Sequence, residues 1–387
     1  MHILVMTRII TRHSHGGMQK QTMDLCYGFV KAGHDVTILT TGRVDGVEYE
    51  NDQGCEIHYL SGSKPGRYSL NWNKLSKLAI AKLHIEKPID VIHSQSMGSR
   101  PVLRWAKKNK VPVVSTWHGT CFTEISSFFS SASYHPRYWH WLLIMPSRFL
   151  RQYFTMELPV RKGSRAITLV SPTLEPKMKI FAKNKVTTIS NGIETIDLLP
   201  KPQNPPVEII AIGRMERQKG IHHAINAIAK LTPEKRQMVH LNVVGEGPYL
   251  QDLKSLIEKH DLHKSATCFG RLPDKELFDI YQKCVIHLMP TTRQEGLPLT
   301  VLEGMSFGLA TIASDIGGIP SVISDGIDGL LIEPGNEQQL TSLLSSLLDN
   351  PTKIITIGTQ ARKTIEDKYS RERMVAETLQ ILVDSTE

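Results

Sequence analysis

The stretch Val285–Glu303 reads VIHLMPTTRQEGLPLTVLE and predicts a strand, a loop and a helix in succession. Its apolar run ends at Pro290, which indicates a buried parallel strand. Pro298 stands where a helix would begin, and apolar residues follow it at helical spacing. We therefore expect Glu295 in a strand-to-helix loop and Glu303 about two turns into the helix.

Both glutamates stand where a nucleotide could be held. A helix N-terminus that follows such a loop suits a phosphate, because its N–H groups are unpaired and its dipole is positive there. The Glu303 carboxylate could accept hydrogen bonds from both hydroxyls of a ribose, and Glu295 could reach a sugar beyond the phosphates. Acids are also common near helix starts for electrostatic reasons alone, so the spacing leaves both interpretations open.

The motifs around this stretch are more specific than the two glutamates. Glu295–Pro298 (EGLP), Gly304–Gly308 (GMSFG) and Ser314–Pro320 (SDIGGIP) closely resemble the donor-site signature of retaining GT-B glycosyltransferases, in particular the large glycogen-synthase-like family four. The resemblance implies an α/β fold of two Rossmann-like, doubly wound domains that face each other across a cleft. It also implies donor contacts from the residues that follow Glu295, namely Gly296, Leu297, Leu299 and Thr300.

A second cationic motif lies upstream of this stretch. The apolar strand Val207–Ile212 leads into GRMERQKG, in which Arg214 offers a planar fork of donors and Lys219 a mobile point charge. Both suit a diphosphate, although a solvated charge pair fits the spacing equally well. The string resembles the family's Gly-Arg…Lys-Gly element, which implies diphosphate binding without a bound metal. In the family, the backbone around Arg271 and Leu272 would frame the base.

Two features of the first half also point to a ligand. Gly16 and Gly17 lie between a first strand and a helix, where they either bring the backbone close to a ligand or form a simple turn. They do not form GxGxxG, so a nicotinamide site is not indicated. His118 follows a predicted strand and would point into the crevice or tuck under a loop. The resemblance implies that the diglycine loop lies at the catalytic cleft and that His118 lies beside the reacting sugar.

The length of the chain and a cluster of prolines favour two domains. At 387 residues the chain is long for one core. Four prolines within 200–206 indicate a linker, so we predict domains at 1–200 and 201–370, with a C-terminal helix in 371–387 that crosses back to the first domain.

Charge is distributed unevenly between the halves. Residues 1–200 carry 26 Lys and Arg against 14 Asp and Glu, whereas the remainder carries 20 against 24. Within 137–165, aromatic and basic residues interleave. This segment is typical of an element on an anionic membrane surface, of an acceptor pocket, or of an ordinary interdomain helix, and all three interpretations stay open. No nucleic-acid-binding motif accompanies it.

Other classes are disfavoured by what the sequence does not contain. No apolar run is long enough to span a membrane, and Met1–Met6 reads as a first strand rather than a signal peptide, so we expect a cytoplasmic protein, peripheral at most at the inner face of the cell membrane. The five cysteines are scattered and none stands at zinc-ligand spacing, so we expect free thiols and no metal.

We therefore predict a retaining, metal-independent glycosyltransferase with a nucleotide-diphosphate sugar, UDP-linked by preference of the family, as co-substrate and no cofactor. It would move a hexosyl or N-acetylhexosaminyl unit to a hydroxyl acceptor such as an envelope glycan, glycolipid or polysaccharide precursor. His118, Glu295, Arg214 and Lys219 are the predicted catalytic residues. Two alternatives remain: a GT-B nucleotide-sugar 2-epimerase, and a non-catalytic protein that binds sugars or lipid head groups.

Overall fold

The structure, a computed structural model, describes residues 1–14, 16–123, 125, 139–179, 185–201 and 205–387, and at 139–145 and 177 it describes the backbone alone. The chain forms two units. The first contains the described residues of 1–192 together with Arg371–Glu387, and the second contains the described residues of Ile193–Ser370.

An eight-stranded sheet organises the first unit, in the order β3-β4-β2-β1-β5-β6-β7-β8. Every neighbouring pair is parallel except β3 and β4. The strands are β1 (His2–Met6), β2 (Asp35–Thr41), β3 (Tyr49–Asp52), β4 (Cys55–Leu60), β5 (Val91–Gln95), β6 (Val113–Trp117), β7 (Ala166–Leu169) and β8 (Lys185–Thr188). The chain leaves β1 toward β2 on one side and β5 toward β6 on the other. The loops after β1 and β5 therefore diverge, and such a switch point is where open α/β sheets bind ligands.

The helices of the first unit cover its sheet. They are α1 (Gly17–Lys31), α2 (Leu70–Glu86), α3 (Leu103–Lys108), α4 (Trp139–Gln152), α5 (Leu158–Gly163), α6 (Glu175–Lys179) and the C-terminal α14 (Arg371–Thr386); a π-helical turn, Tyr153–Glu157, joins α4 to α5. Helix α14 shares one apolar core with α1: Met374 and Leu382 are fully buried among Cys26 and Phe29. At Gly28 any larger side chain would overlap Val375, so the two helices meet closely there.

A six-stranded, all-parallel sheet organises the second unit, in the order β11-β10-β9-β12-β13-β14. The strands are β9 (Val207–Ile212), β10 (Val239–Val244), β11 (Ala266–Gly270), β12 (Ile286–Met289), β13 (Ala310–Ser314) and β14 (Leu330–Ile332). The helices are α7 (Ile221–Ala229), α8 (Pro233–Gln237), α9 (Leu250–Lys259), α10 (Asp274–Lys283), α11 (Leu299–Ser306), α12 (Glu337–Asp349) and α13 (Pro351–Lys368). The switch point lies between β9 and β12, so the loops that follow these two strands border one crevice.

The second unit begins at Ile193, which bridges to Ser370, and the Lys201 ammonium donates to the Tyr281 carbonyl at 2.9 Å. Pro202 lies outside the described residues. Strand β3 was not predicted, because its residues are half-buried or exposed at the sheet edge and show no apolar alternation.

Candidate functional site

The two loops at the switch point of the second unit are joined by backbone and side-chain contacts. The Thr292 N–H donates to the Gln218 carbonyl at 2.9 Å, and the Thr291 hydroxyl donates to the same oxygen at 3.0 Å. Gly220 has φ of 71°, and a Cβ there would overlap the Pro290 carbonyl. Only glycine combines that conformation with so close an approach. The loop after β9 and the loop after β12 are therefore held together before any ligand arrives.

Lys219 and Glu295 meet directly within this crevice. The Lys219 ammonium donates to Glu295 Oε1 at 2.6 Å, and each side chain is only 14% exposed. Glu295 is itself fixed through its backbone, since its carbonyl accepts from the Gly318 N–H at 2.9 Å. Lys219, predicted to bind the phosphates, and Glu295, predicted to bind the sugar, thus form an ion pair with each other.

Arg214 belongs to a second charged group beside the first. Its guanidinium lies 3.1 Å from Glu216 and is 60% exposed. Glu216 also faces Arg293, at 3.6 Å, so one carboxylate is shared by two guanidinium groups. Sequence analysis did not single out Glu216 or Arg293. Glu216 follows Arg214 by two residues in the same loop, whereas Arg293 reaches Glu216 because β9 and β12 are adjacent.

Glu303 lies on α11, next to an aromatic residue that the sequence analysis missed. The helix begins at Leu299, so Glu303 is just over one turn into it, and the prediction of about two turns was wrong. Even counted from Pro298, Glu303 is only five residues along, about 1.4 turns at 3.6 residues per turn. The buried Tyr281 hydroxyl of α10 donates to Glu303 Oε2 at 3.3 Å. Burial, together with Glu303, raises the pKa of Tyr281 well above its usual value, so Tyr281 stays a neutral donor.

The remaining residues of the second unit that are predicted to bind the sugar donor differ in their exposure. Leu297 and Leu299 are buried in an apolar cluster, so a ligand could meet only their backbone. Gly296 and Thr300 are half-buried beside them, and the Thr300 hydroxyl lies 3.6 Å from the Met289 sulfur. Arg271 and Leu272 follow β11, where the exposed Arg271 lies 3.7 Å from Glu246.

The first unit carries the other predicted residues at the ends of its own parallel strands. Gly16 and Gly17 are exposed at the start of α1, in the loop that follows β1. The Gly16 backbone is extended, and a side chain there would press on Gln19. His118 follows β6 and is half-buried.

Gln95, at the end of β5, is the hydrogen-bond partner of His118. The His118 Nε2 and Gln95 Oε1 atoms lie 2.9 Å apart. Burial and the nearby His93 lower the pKa of His118 to about 4, so its imidazole is neutral near pH 7. Sequence analysis did not single out Gln95, because nothing in its local pattern distinguishes it from a core residue of β5.

The basic and aromatic segment of 137–165 falls only partly within the description. Residues 137 and 138, and the side chains of 139–145, lie outside it. Beyond them, Arg148, Leu150, Arg151 and Phe154 are exposed. Glu157, in contrast, is buried beside Arg161 at 3.5 Å and accepts from the Cys121 N–H at 2.8 Å. The described surface is therefore basic and apolar, and its acid is turned inward.

The described residues contain neither a metal-binding cluster nor a membrane-spanning helix. Among them, no three His, Cys, Asp or Glu side chains gather as ligands of a metal would. Nor is any helix in the described ranges both long and apolar enough to cross a membrane.

Family models match both parts of the chain. The model for glycosyl transferases group 1 matches residues 197–364, and the model for Glycosyltransferase Family 4 matches residues 15–196. A glycogen synthase of Mycobacterium tuberculosis is 23% identical over 392 aligned residues, which cover 95% of this chain and 90% of that protein.

Solved structures agree with this chain in fold. Sucrose-phosphate synthase from Thermosynechococcus elongatus superposes with a TM-score of 0.79 at 18% identity, covering 99% of this chain and 98% of the other. Anabaena HepE in complex with UDP and glucose superposes with a TM-score of 0.70 at 15% identity, covering 99% and 100%. At these identities the likeness shows the fold alone, and that fold is the predicted GT-B α/β architecture with two parallel sheets.

Proposed function

This chain belongs to the glycosyl transferases group 1 family, and from that membership we propose that it is a retaining glycosyltransferase that uses a UDP-sugar. The transferred unit would be a hexosyl or N-acetylhexosaminyl group, and the acceptor a hydroxyl of an envelope glycan, glycolipid or polysaccharide precursor. The bound UDP and glucose in HepE, which shares the fold, support the choice of nucleotide.

One observation carries this proposal: the contact between Lys219 and Glu295 at the switch point, with Arg214 in the adjoining group. Two cations lie where a diphosphate would be expected, and a carboxylate lies next to them where it could accept from sugar hydroxyls. Arg214 and Lys219 would stabilise the charge that develops on the diphosphate as it leaves. Because two cations offset this charge, the proposed reaction requires no metal.

The other predicted residues would bind the rest of the donor. Glu303, steadied by Tyr281, would accept from the ribose hydroxyls. His118 would orient the transferred sugar. In the proposed reaction the acceptor attacks from the face of the leaving group, and the departing phosphate takes the acceptor proton. This accounts for a site in which no protein nucleophile is assigned.

The first test is calorimetric titration with UDP, GDP and ADP, on the wild type and on Glu303→Ala. We expect one nucleotide, UDP, to bind, and Glu303→Ala to weaken it by about tenfold or more, because a carboxylate that accepts two hydroxyls is removed. Glu258→Ala, an exposed glutamate on α9, is the matched control and should bind as the wild type does.

Each other outcome of the titration has a definite meaning. Binding of GDP or ADP in place of UDP would contradict the proposed donor. Absence of binding by all three nucleotides would contradict the proposed donor site. Tight binding of UDP without transfer to any acceptor, and without slow hydrolysis of UDP-sugar, would favour the non-catalytic alternative. Formation of an epimeric UDP-sugar without acceptor would favour the epimerase.

We also propose a partner for the exposed surface of 146–154, namely an anionic membrane. Arg148 and Arg151 stand beside the exposed Leu150 and Phe154, and such a surface favours anionic lipid head groups and the boundary of the acyl chains. A lipid-linked acceptor at the inner face of the cell membrane would be reached from such a position. The proposed location is therefore cytoplasmic and peripheral to the membrane.

A further inference from the structure

Gln95 is the residue of the first unit whose surroundings restrict its role most closely. It lies at the end of β5, is 1% exposed, and pairs in register with Thr116 of β6. Its backbone carbonyl accepts from the Gly98 N–H at 3.1 Å and from the Tyr68 hydroxyl at 3.3 Å. The side chain therefore projects from an anchored backbone toward His118.

The contact between the two side chains has a direction. An amide oxygen can only accept, so His118 Nε2, which lies 2.9 Å from Gln95 Oε1, must carry the proton and donate it. A neutral imidazole has one N–H, and its other nitrogen is then an acceptor. Within the described part of the chain no protein group donates to His118 Nδ1, which leaves its lone pair available.

We propose that Gln95 is a positioning residue that holds the proton of His118 on Nε2, so that Nδ1 accepts a hydrogen bond from a hydroxyl of the transferred sugar. This inference rests on the proposed function, in which His118 contacts the donor sugar. The predicted consequence is a preference: a sugar whose hydroxyl at this position is replaced by hydrogen or a methoxy group loses the hydrogen bond to Nδ1.

The neighbouring polar residues do not compete for this role. His93, two residues before Gln95 on β5, is fully buried, and its Nε2 pairs with the Thr116 hydroxyl at 2.7 Å. Thr116 in turn pairs with the Thr168 hydroxyl at 2.7 Å. This second network neither donates to nor accepts from His118, and His93 acts on His118 only by helping to keep it uncharged.

The direct test is the tautomer of His118, read from ¹⁵N shifts of histidine-labelled full-length protein, with His118→Ala used for assignment. We expect the Nε2-protonated form in the wild type and a mixture of both tautomers in Gln95→Met, which keeps the shape and removes the acceptor. Protonation on Nδ1 in the wild type, as a reversed Gln95 amide would give, overturns the inference. An unchanged tautomer in Gln95→Met overturns it as well. Neither measurement needs a donor substrate.

Kinetics then test the link to the sugar. Gln95→Met should lower kcat/KM for UDP-sugar by up to about tenfold, the limit for one lost hydrogen bond, because the molecules protonated on Nδ1 lose that bond, and it should leave the Kd of UDP unchanged. Thr116→Val removes the buried hydrogen bonds to His93 and Thr168 without touching His118, and it should match the wild type in both. Full activity in Gln95→Met with a changed tautomer would overturn the role in sugar binding. The expected tautomers without any glycosyl transfer would support the role of Gln95 on His118 and overturn the proposed function.

Discussion

Arg214 and Lys219 are both proposed to bind the diphosphate, but their surroundings differ. Arg214 is largely exposed and shares Glu216 with Arg293, whereas Lys219 is nearly enclosed and bonded to Glu295. Exposed ion pairs contribute little to stability and exchange readily, so Arg214 can turn from Glu216 to a diphosphate at low cost. Lys219 has less freedom, and a diphosphate would join its existing contact with Glu295. Lys219 would thus orient the Glu295 carboxylate, and Arg214 would move to meet the diphosphate.

We predict that Arg214→Ala lowers kcat/KM for the UDP-sugar by about ten- to a hundredfold, because a charge-assisted hydrogen bond to the leaving group is lost. Steady-state turnover at varied donor concentration measures the effect. Arg293→Ala is the matched control: it removes a guanidinium from the same Glu216, and we expect a smaller loss. Turnover of Arg214→Ala at the wild-type rate would contradict the proposed role of Arg214 in binding the leaving diphosphate.

Among the elements, the two loops of the second unit depend on one close approach. Gly220 ends the loop after β9 in a left-handed conformation and touches the Pro290 carbonyl at the end of β12. Any side chain must push the loops apart, and Lys219 is the adjoining residue. The distance from Lys219 to Glu295 is therefore tied to the absence of a Cβ one position along the chain.

We predict that Gly220→Ala destabilises the second unit and weakens UDP binding by tenfold or more, since the clash displaces the loop that carries Lys219. Chemical unfolding and calorimetric titration measure the two effects. Gly326→Ala is the control: its φ is 77°, close to that of Gly220, but a Cβ there meets nothing within 4 Å. It should show only the cost of the backbone conformation, about 1 kcal/mol, with UDP binding unchanged. Equal effects of the two substitutions would contradict the argument.

Sequence patterns predicted individual elements unequally. Strand β9 was predicted with the bounds that the structure has, because five of its six residues are apolar and it lies between a proline-rich segment and a glycine. Strand β3 was missed, because pairing with β4 in the register Tyr49 with His58 supports it rather than any apolar pattern of its own. Local periodicity therefore reported the buried strands and not the exposed edge.

Across the whole molecule, the first half of the chain is basic and the second half is slightly acidic. The basic excess lies within residues 1–200, and the described surface of 146–154 adds exposed apolar groups to it. A basic surface alone would be explained by solubility. The combination with Leu150 and Phe154 favours a surface on which lipid replaces water.

We predict that the protein binds vesicles of phosphatidylglycerol and phosphatidylcholine at low salt, and that Arg148→Ser with Arg151→Ser lowers the bound fraction severalfold. Sedimentation with vesicles measures it, and high salt should reverse binding because mobile ions screen the attraction. Lys74→Ser with Lys77→Ser, an equal change of charge on exposed positions of α2, is the control. Failure of the wild type to bind at low salt would remove the membrane from the proposed function.

The family and the α/β class of this protein could be predicted from the sequence, because contiguous residues carry the signal for both. The EGLP, GMSFG and SDIGGIP motifs and the apolar runs of the parallel strands can be read without knowing which strand neighbours which. The fold class and the family were confirmed; the roles of the site residues and the domain bounds stay predictions.

Which side chains meet depends on the tertiary structure. Lys219 and Glu295 are 76 positions apart and touch because the sheet places β9 beside β12, although β10 and β11 intervene in the chain. The contacts of Gln95 with His118 and of Tyr281 with Glu303 likewise join separate elements. Strand order and helix packing come from the burial of whole apolar faces, to which distant segments contribute jointly. No single motif contains that information, and so the partners of the recognisable residues emerge only in the folded chain.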